Sequence, residues 1–164
     1  MNIFYLDQDP RLAAVAHCDK HVGKMVVETA QLLSTAHHVA NTPFAPLVYK
    51  PTHINHPSAV WVRASQDHYS WAWELFRELA NEFAHRRGKL HLSYRRLSNY
   101  LCHNPLALPL KGFTPPPQCM PEELHGPDTV EAYRRYYHTK TFAAWNWGRP
   151  APSWWLGEFS TSDA

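Results

Sequence analysis

RLAAVAHCDKHVGKMVVETAQLLSTAHHVA, residues 11–40, decides how the rest of the chain is read. It carries no proline, and Asp9-Pro10 just before it pairs a capping side chain with proline at the first helical position. The run predicts one long helix, or two broken near Gly23. With His17 as origin and about 100° per residue, Lys20, His21, Lys24, Glu28, Gln31, Thr35 and His38 all fall within about 60° of it. Cys18, Val22, Met25, Val26, Leu32, Leu33 and Ala36 form a second, apolar arc. A third arc holds Asp19, Gly23, Val27, Ala30, Ser34 and His37 and is mostly small. A polar strip between two packing faces is how the wall of a cleft reads. The alternative is a plain solvated face, with Lys24 and Glu28 as an i,i+4 pair contributing about 0.2–0.5 kcal/mol.

Outward from this helix, MNIFYLD reads as a short extended lead, and residues 41–51 as a proline-bearing loop. A second long helix is expected from Pro57 to about Arg87, stopped by Gly88, with Trp61, Ala72, Leu75, Phe76, Leu79 and Phe83 on its apolar side. A shorter helix is expected over Ser93–Leu101. Residues 104–127 read as a proline-rich ordered loop. Asp128, with Glu131 three residues on, then opens a last helix running to about Trp147. No segment reads as a strand. The expectation is an all-α fold: one compact helical domain over residues 1–157, with two long helices, one or two shorter ones and a long proline-rich loop. Residues 158–164 would be a frayed tail.

The chain has 164 residues, 45% hydrophobic and 18% charged, with a formal charge of only +2, so overall charge does not announce a nucleic-acid partner. Its three cysteines form no C-x-x-C pair, which argues against a disulfide framework and for a reducing setting. The first residues lack the pattern of a signal peptide, and no apolar run approaches a membrane span. A cytoplasmic protein without a membrane partner is expected. Nothing in the residues sets an oligomeric state.

Twelve histidines stand out at this length. THINHP, residues 52–57, places His53 and His56 at a helix start, where free N–H groups and the positive dipole end favour anions. With Lys20, Lys24, Lys50 and Arg63 nearby in the reading, a phosphate or pyrophosphate is the natural guest. Arg86, Arg87, Lys89, Arg95 and Arg96 form a basic cluster suited to a nucleic-acid backbone. Gln118, after three prolines, could present its amide to a ligand. A divalent metal is the rival use of His17 and His21, with His53 and His56 as further ligands. Lys20 and Lys24 beside them would repel a cation, and neither an H-E-x-x-H pattern nor a cysteine pair is present. The expected set therefore contains no metal ligand and no cofactor, with a divalent ion left open.

Five motifs carry a resemblance: D-K-H-V-x-K-M-x-x-E-x-A-Q-L-L-S-T-A (19–36), Y-K-P-T-H-x-N-H-P (49–57), W-V-R-x-S (61–65), P-P-P-Q-x-M-P (115–121) and V-E-A-Y-R-x-Y-Y (130–137). Through them the chain resembles a family of small phage-encoded proteins. It is similar to the α-glutamyl/putrescinyl thymine pyrophosphorylase, or amino acid:DNA transferase, group of DNA hypermodification. The resemblance implies a transferase in the host cytoplasm. It would act on pyrophosphorylated 5-hydroxymethyluracil in DNA, displacing pyrophosphate with a small amine or amino acid. Individual roles rest on residue chemistry. His21, Lys24, Glu28 and His53 are the candidate catalytic groups, His21, Glu28 or His53 serving as base. Lys20, Gln31, Lys50, His56 and Arg63 are the candidate substrate-binding groups, and Arg86, Arg87, Lys89 and Arg95 would hold the DNA backbone. Two alternatives stay open. One is a glycosylase-like or hydrolytic enzyme in which Glu28 or Asp19 activates water. The other is a non-catalytic nucleic-acid-binding or host-interaction protein using residues 86–96.

Overall fold

The computed structural model describes residues 2–157. Among them lie six α-helices and no strand: α1 (Pro10–Ala16), α2 (Asp19–Val39), α3 (Pro57–Arg63), α4 (Gln66–Arg87), α5 (Leu92–Leu101) and α6 (Thr129–His138). Single 3-10 turns occupy Ala45–Leu47 and Glu122–Leu124. The all-α expectation holds. The tail expected at 158–164 lies outside the described residues.

Both long helices break where tertiary hydrogen bonds outcompete helical ones. The first breaks at His17-Cys18, not at Gly23, and both residues adopt extended backbone. The Cys18 N–H donates to the Tyr137 hydroxyl (3.1 Å), while the His17 carbonyl accepts from Arg86 Nη1 (2.8 Å). Gly23 stays helical inside α2 and lets α4 approach: a Cβ there would stand 3.2 Å from Phe83 Cε2. The second helix breaks at Ala64-Ser65. Ser65 Oγ accepts from the Asp67 N–H, opening α4, and donates to the Gly112 carbonyl at 2.7 Å, tying the proline-rich loop to that corner.

Other ends follow local signals. Asp9 Oδ1 accepts from the Arg11 N–H at 2.8 Å. Gly88 ends α4 at φ 72°, in the left-handed region that favours glycine. Asp128 Oδ1 accepts from the Glu131 N–H at 3.2 Å. α6 stops at His138 rather than Trp147, because the following chain docks on the start of α2. There Asp19 N–H donates to the Ala144 carbonyl, Asn146 N–H to Asp19 Oδ2 (2.6 Å), and Trp145 Nε1 to the Ala16 carbonyl.

The core is centred on α2 against α4, with α1, α3 and α5 around this pair. Met25, Val26, Leu32 and Leu33 from α2 pack with Tyr69, Leu75, Phe76 and Leu79 from α4, and the N-terminal segment adds Ile3, Phe4 and Leu6. Residues 102–128 are ordered by specific bonds. Trp61 Nε1 donates to the Thr114 carbonyl, and His68 Nε2 accepts from the Thr114 N–H. The Gln118 amide pairs with both backbone groups of Gly126, so it braces the loop instead of facing a ligand.

A buried ionic network locks the α1–α2 corner to α4. Arg86, its side chain 1% exposed, reaches Glu82 Oε1 (2.8 Å), Asp19 Oδ1 (3.1 Å) and the carbonyls of His17 and Val15. Arg149 Nε adds a second bond to Glu82 Oε1 at 2.8 Å. Two carboxylates face two guanidiniums, so the formal charges cancel and the desolvated groups are hydrogen-bonded. No helix of the described residues is long and apolar enough to cross a membrane.

Candidate functional site

The exposed edge of α2 meets the N-terminal segment and the end of α6. His21 projects from α2 onto Phe4, the rings stacked at 4.5 Å and 17°, and its Nδ1 lies 2.8 Å from the Tyr137 hydroxyl. That hydroxyl also accepts from the Cys18 N–H, so one buried tyrosine fixes both the imidazole and the helix break. Just past α6, Lys140 Nζ sits 4.0 Å over the Tyr136 ring, 5.3 Å over Phe4 and 5.9 Å over Phe142. Lys20 Nζ approaches Phe142 from the α2 side at 4.9 Å. Lys24, one turn further on, stands 3.8 Å from Glu28 Oε2. The Lys24 side chain is 63% exposed and that of Glu28 only 15%.

The electrostatics make this one site. Burial, then the positive charges of His17, Lys140, Lys24 and Lys20, push the His21 pKa down to about 3. Burial also lowers Lys140, helped by Lys24 and opposed by Cys18. Three ammonium groups thus act on an imidazole that is neutral at physiological pH. Such a cluster is stabilised by a bound anion and, through its aromatic walls, by flat ligands.

The neighbouring 53–56 segment contributes differently from the sequence expectation. α3 has only seven residues, and His56 caps it itself, Nδ1 accepting from the Ser58 N–H at 3.0 Å. One of the supposed anion donors is therefore already used. Burial lowers the His56 pKa, as does the charge of His53, while Glu28 raises it. His56 thus lies within the field of both His53 and Glu28. His53 is exposed, with φ 49°, and its Nδ1 is 2.8 Å from Thr52 Oγ1.

The remaining candidates separate. Gln31 is half-buried on α2, one turn beyond Glu28. Lys50 is exposed on a segment that Tyr49 and Thr52 tie to Ser34 and Thr35, roughly 10 Å further along the helix axis. Arg63 lies at the far end of α3 and lines a cavity beside Ala36, Val39 and Ala40, so it does not join the lysines. Arg86 is spent in the buried network and cannot face a DNA backbone. Arg87, Lys89 and Arg95 stay exposed, the Arg87 guanidinium 4.6 Å over the Trp147 ring. Asp19 is equally committed, its oxygens taken by Arg86 and Asn146, so it is not free to activate water. His17 is buried in the break, its Nδ1 donating to the Ala13 carbonyl at 2.6 Å, and does not converge with His21 on a metal position. Among the described residues, no group of three His, Cys, Asp or Glu is placed to hold a metal ion.

Sequence reasoning missed Phe4, Tyr136, Tyr137, Lys140 and Phe142 as site residues. An uninterrupted helix to Trp147 would keep Tyr136, Tyr137 and Lys140 within about 100° but turn Phe142 to the opposite side. The turn after His138 gathers them. Together the fold and the contacts define an all-α protein with three lysines gathered at the edge of an aromatic cluster. No protein-family model matches the chain, and comparisons with curated proteins and with solved structures return no match.

Proposed function

We propose that the protein is a phage-encoded DNA-base-modifying transferase of the host cytoplasm. Its substrates would be pyrophosphorylated 5-hydroxymethyluracil in DNA and a small amine or amino acid. The observation that carries this reading is the combined field of Lys20, Lys24 and Lys140 at the neutral His21, with the Glu28 carboxylate one turn beyond Lys24. In the reaction the amine nitrogen bonds to the methylene carbon on C5 of the uracil. The bond from that carbon to the pyrophosphate oxygen breaks, and pyrophosphate leaves with the electron pair. The lysines stabilise the charge growing on that leaving group. The nitrogen's proton passes to Glu28 or His53. His21, held by Tyr137 and depressed to about 3, is a weak base, so its part is to position the wall with Phe4. Phe142, 45% exposed between Lys20 and Lys140, offers a face on which an extruded base can stack. Arg87, Lys89 and Arg95 are the groups left to meet DNA phosphates.

A glycosylase-like hydrolysis at the same cluster is the second reading, favoured by the sheltered Glu28 carboxylate, which could direct water instead of an amine. One experiment separates them. The protein is incubated with DNA carrying pyrophosphorylated 5-hydroxymethyluracil and a mixture of amino acids and polyamines, and the digested nucleosides are weighed by mass spectrometry. A nucleoside heavier by the amine and lacking pyrophosphate supports transfer, and Lys24→Ala should remove it. Free base or abasic sites would replace transfer by hydrolysis. Unchanged nucleosides from a folded protein that binds the DNA would leave a binding role and defeat both.

A further inference from the structure

On the other end of α2, two cavities share a wall. The larger encloses about 680 Å³ between the end of α2, Phe44 and the chain leaving α5 at Cys102–Ala107. The smaller, about 310 Å³, lies between the last turns of α2, Arg63 and residues 107–109. Ala40 and Ala107 line both, so the two cavities adjoin there to make a groove of two lobes. The larger lobe alone is in the size range of small-molecule sites.

The lining is apolar and its polar groups are mostly committed. His37 is bonded at both ring nitrogens, to Thr42 Oγ1 and the Tyr69 hydroxyl, each at 2.8 Å. Asn104 Nδ2 is held by Gln66 and Ser70. Phe44 and His103 stack at 5.2 Å and 14° to form a flat wall in the larger cavity. At the opposite end stands Arg63, the one residue of the two linings with a fixed charge. Its Nη1 is buried and, among the described residues, nothing hydrogen-bonds to it. The residue as a whole is only half-buried, and the planar fork it presents to the smaller cavity matches a carboxylate.

We infer that this groove binds a small amphipathic anion, a carboxylate seated on Arg63 with a flat apolar body running past Ala40 and Ala107 toward the Phe44–His103 wall. The site is separate from the Lys20–Lys24–Lys140 cluster and does not depend on the reaction proposed for it. The ligand is a molecule with one charged end and no other strong hydrogen-bonding groups, because the walls leave little to pair with them.

The test uses 2-naphthoate and its uncharged isostere 2-naphthamide, titrated into the full chain by calorimetry and followed by amide NMR shifts. Saturable naphthoate binding is expected, with shifts confined to residues 36–44, 63 and 102–109. Naphthamide should bind about tenfold or more weakly, the size of one charge-assisted contact. Arg63→Gln should weaken naphthoate to the level of the amide, with thermal unfolding checking that the variant is folded. Ala107→Trp, at an exposed position of the shared wall, should block both ligands. Equal affinity for the two ligands, unchanged affinity in folded Arg63→Gln, or no saturable binding to the wild-type chain would each overturn the inference.

Discussion

Lowering the pH from 7 to 5 should remove about 6 kcal/mol of folding stability through three buried histidines. His17 and His37 have no exposed surface and His21 only 3%. Burial is the main cause in each case. It pushes His17 to about 4 against an opposing hydrogen bond to Ala13, with Arg86 adding to the depression. It pushes His21 to about 3 with the help of His17 and the three lysines, and His37 to about 4. In the unfolded chain all three return to the ordinary value of 6.5. As pH falls through 6.5, the unfolded chain takes up protons that the native protein refuses, so stability declines until the native values near 4 and 3 are reached. At pH 5 each group has cost about 2 kcal/mol, from 1.36 kcal/mol per pH unit below 6.5. Domains of this kind have about 5–15 kcal/mol in total. His56, His68 and His91, also lowered chiefly by burial, act in the same direction. Urea unfolding followed by tryptophan fluorescence at pH 7, 6 and 5 measures the effect. The slope should approach three protons per molecule or more, and His17→Gln or His37→Gln should each reduce it by about one. Stability that is level between pH 7 and 5, or slopes unmoved by these substitutions, would refute the argument that these imidazoles are neutral and shielded.

Arg86→Met should destabilise the protein by about 3–5 kcal/mol, since it leaves the buried Asp19 carboxylate without a cation and Glu82 with Arg149 alone; chemical denaturation at pH 7 measures this directly. Tyr137→Phe removes the partner of both the Cys18 N–H and His21 Nδ1 and should cost about 1–3 kcal/mol, read as a lowered unfolding midpoint. Lys24→Ala, at a largely exposed side chain, should change stability by less than about 0.5 kcal/mol. The same substitution should reduce nucleoside transfer about tenfold or more in the mass-spectrometric assay. A variant that instead unfolded would make Lys24 a structural residue.

Helix content and the polar strip on α2 are legible in the chain because both follow from local rules. Apolar spacing marks the core faces of α2 and α4. Asp9, Asp128 and Gly88 mark three helix ends through bonds and dihedrals that involve only near neighbours. His21, Lys20, Lys24 and Glu28 share an edge of α2 because they lie on one helix. Where helices stop for distant reasons, sequence periodicity is blind. His17-Cys18 breaks because Tyr137 and Arg86 capture its backbone, and Ala64-Ser65 breaks beside the loop that Ser65 anchors. The same long-range bonds decide which charged residues remain available for function. Arg86 and Arg87 are adjacent in the chain, yet one is the centre of a buried ion network and the other is exposed. Lys140 reaches Lys20 and Lys24 only because Asp19 holds the chain after α6 against the start of α2. Residue types and helical spacing are properties of short stretches of chain. The partners that close a site are brought together by the folded molecule as a whole.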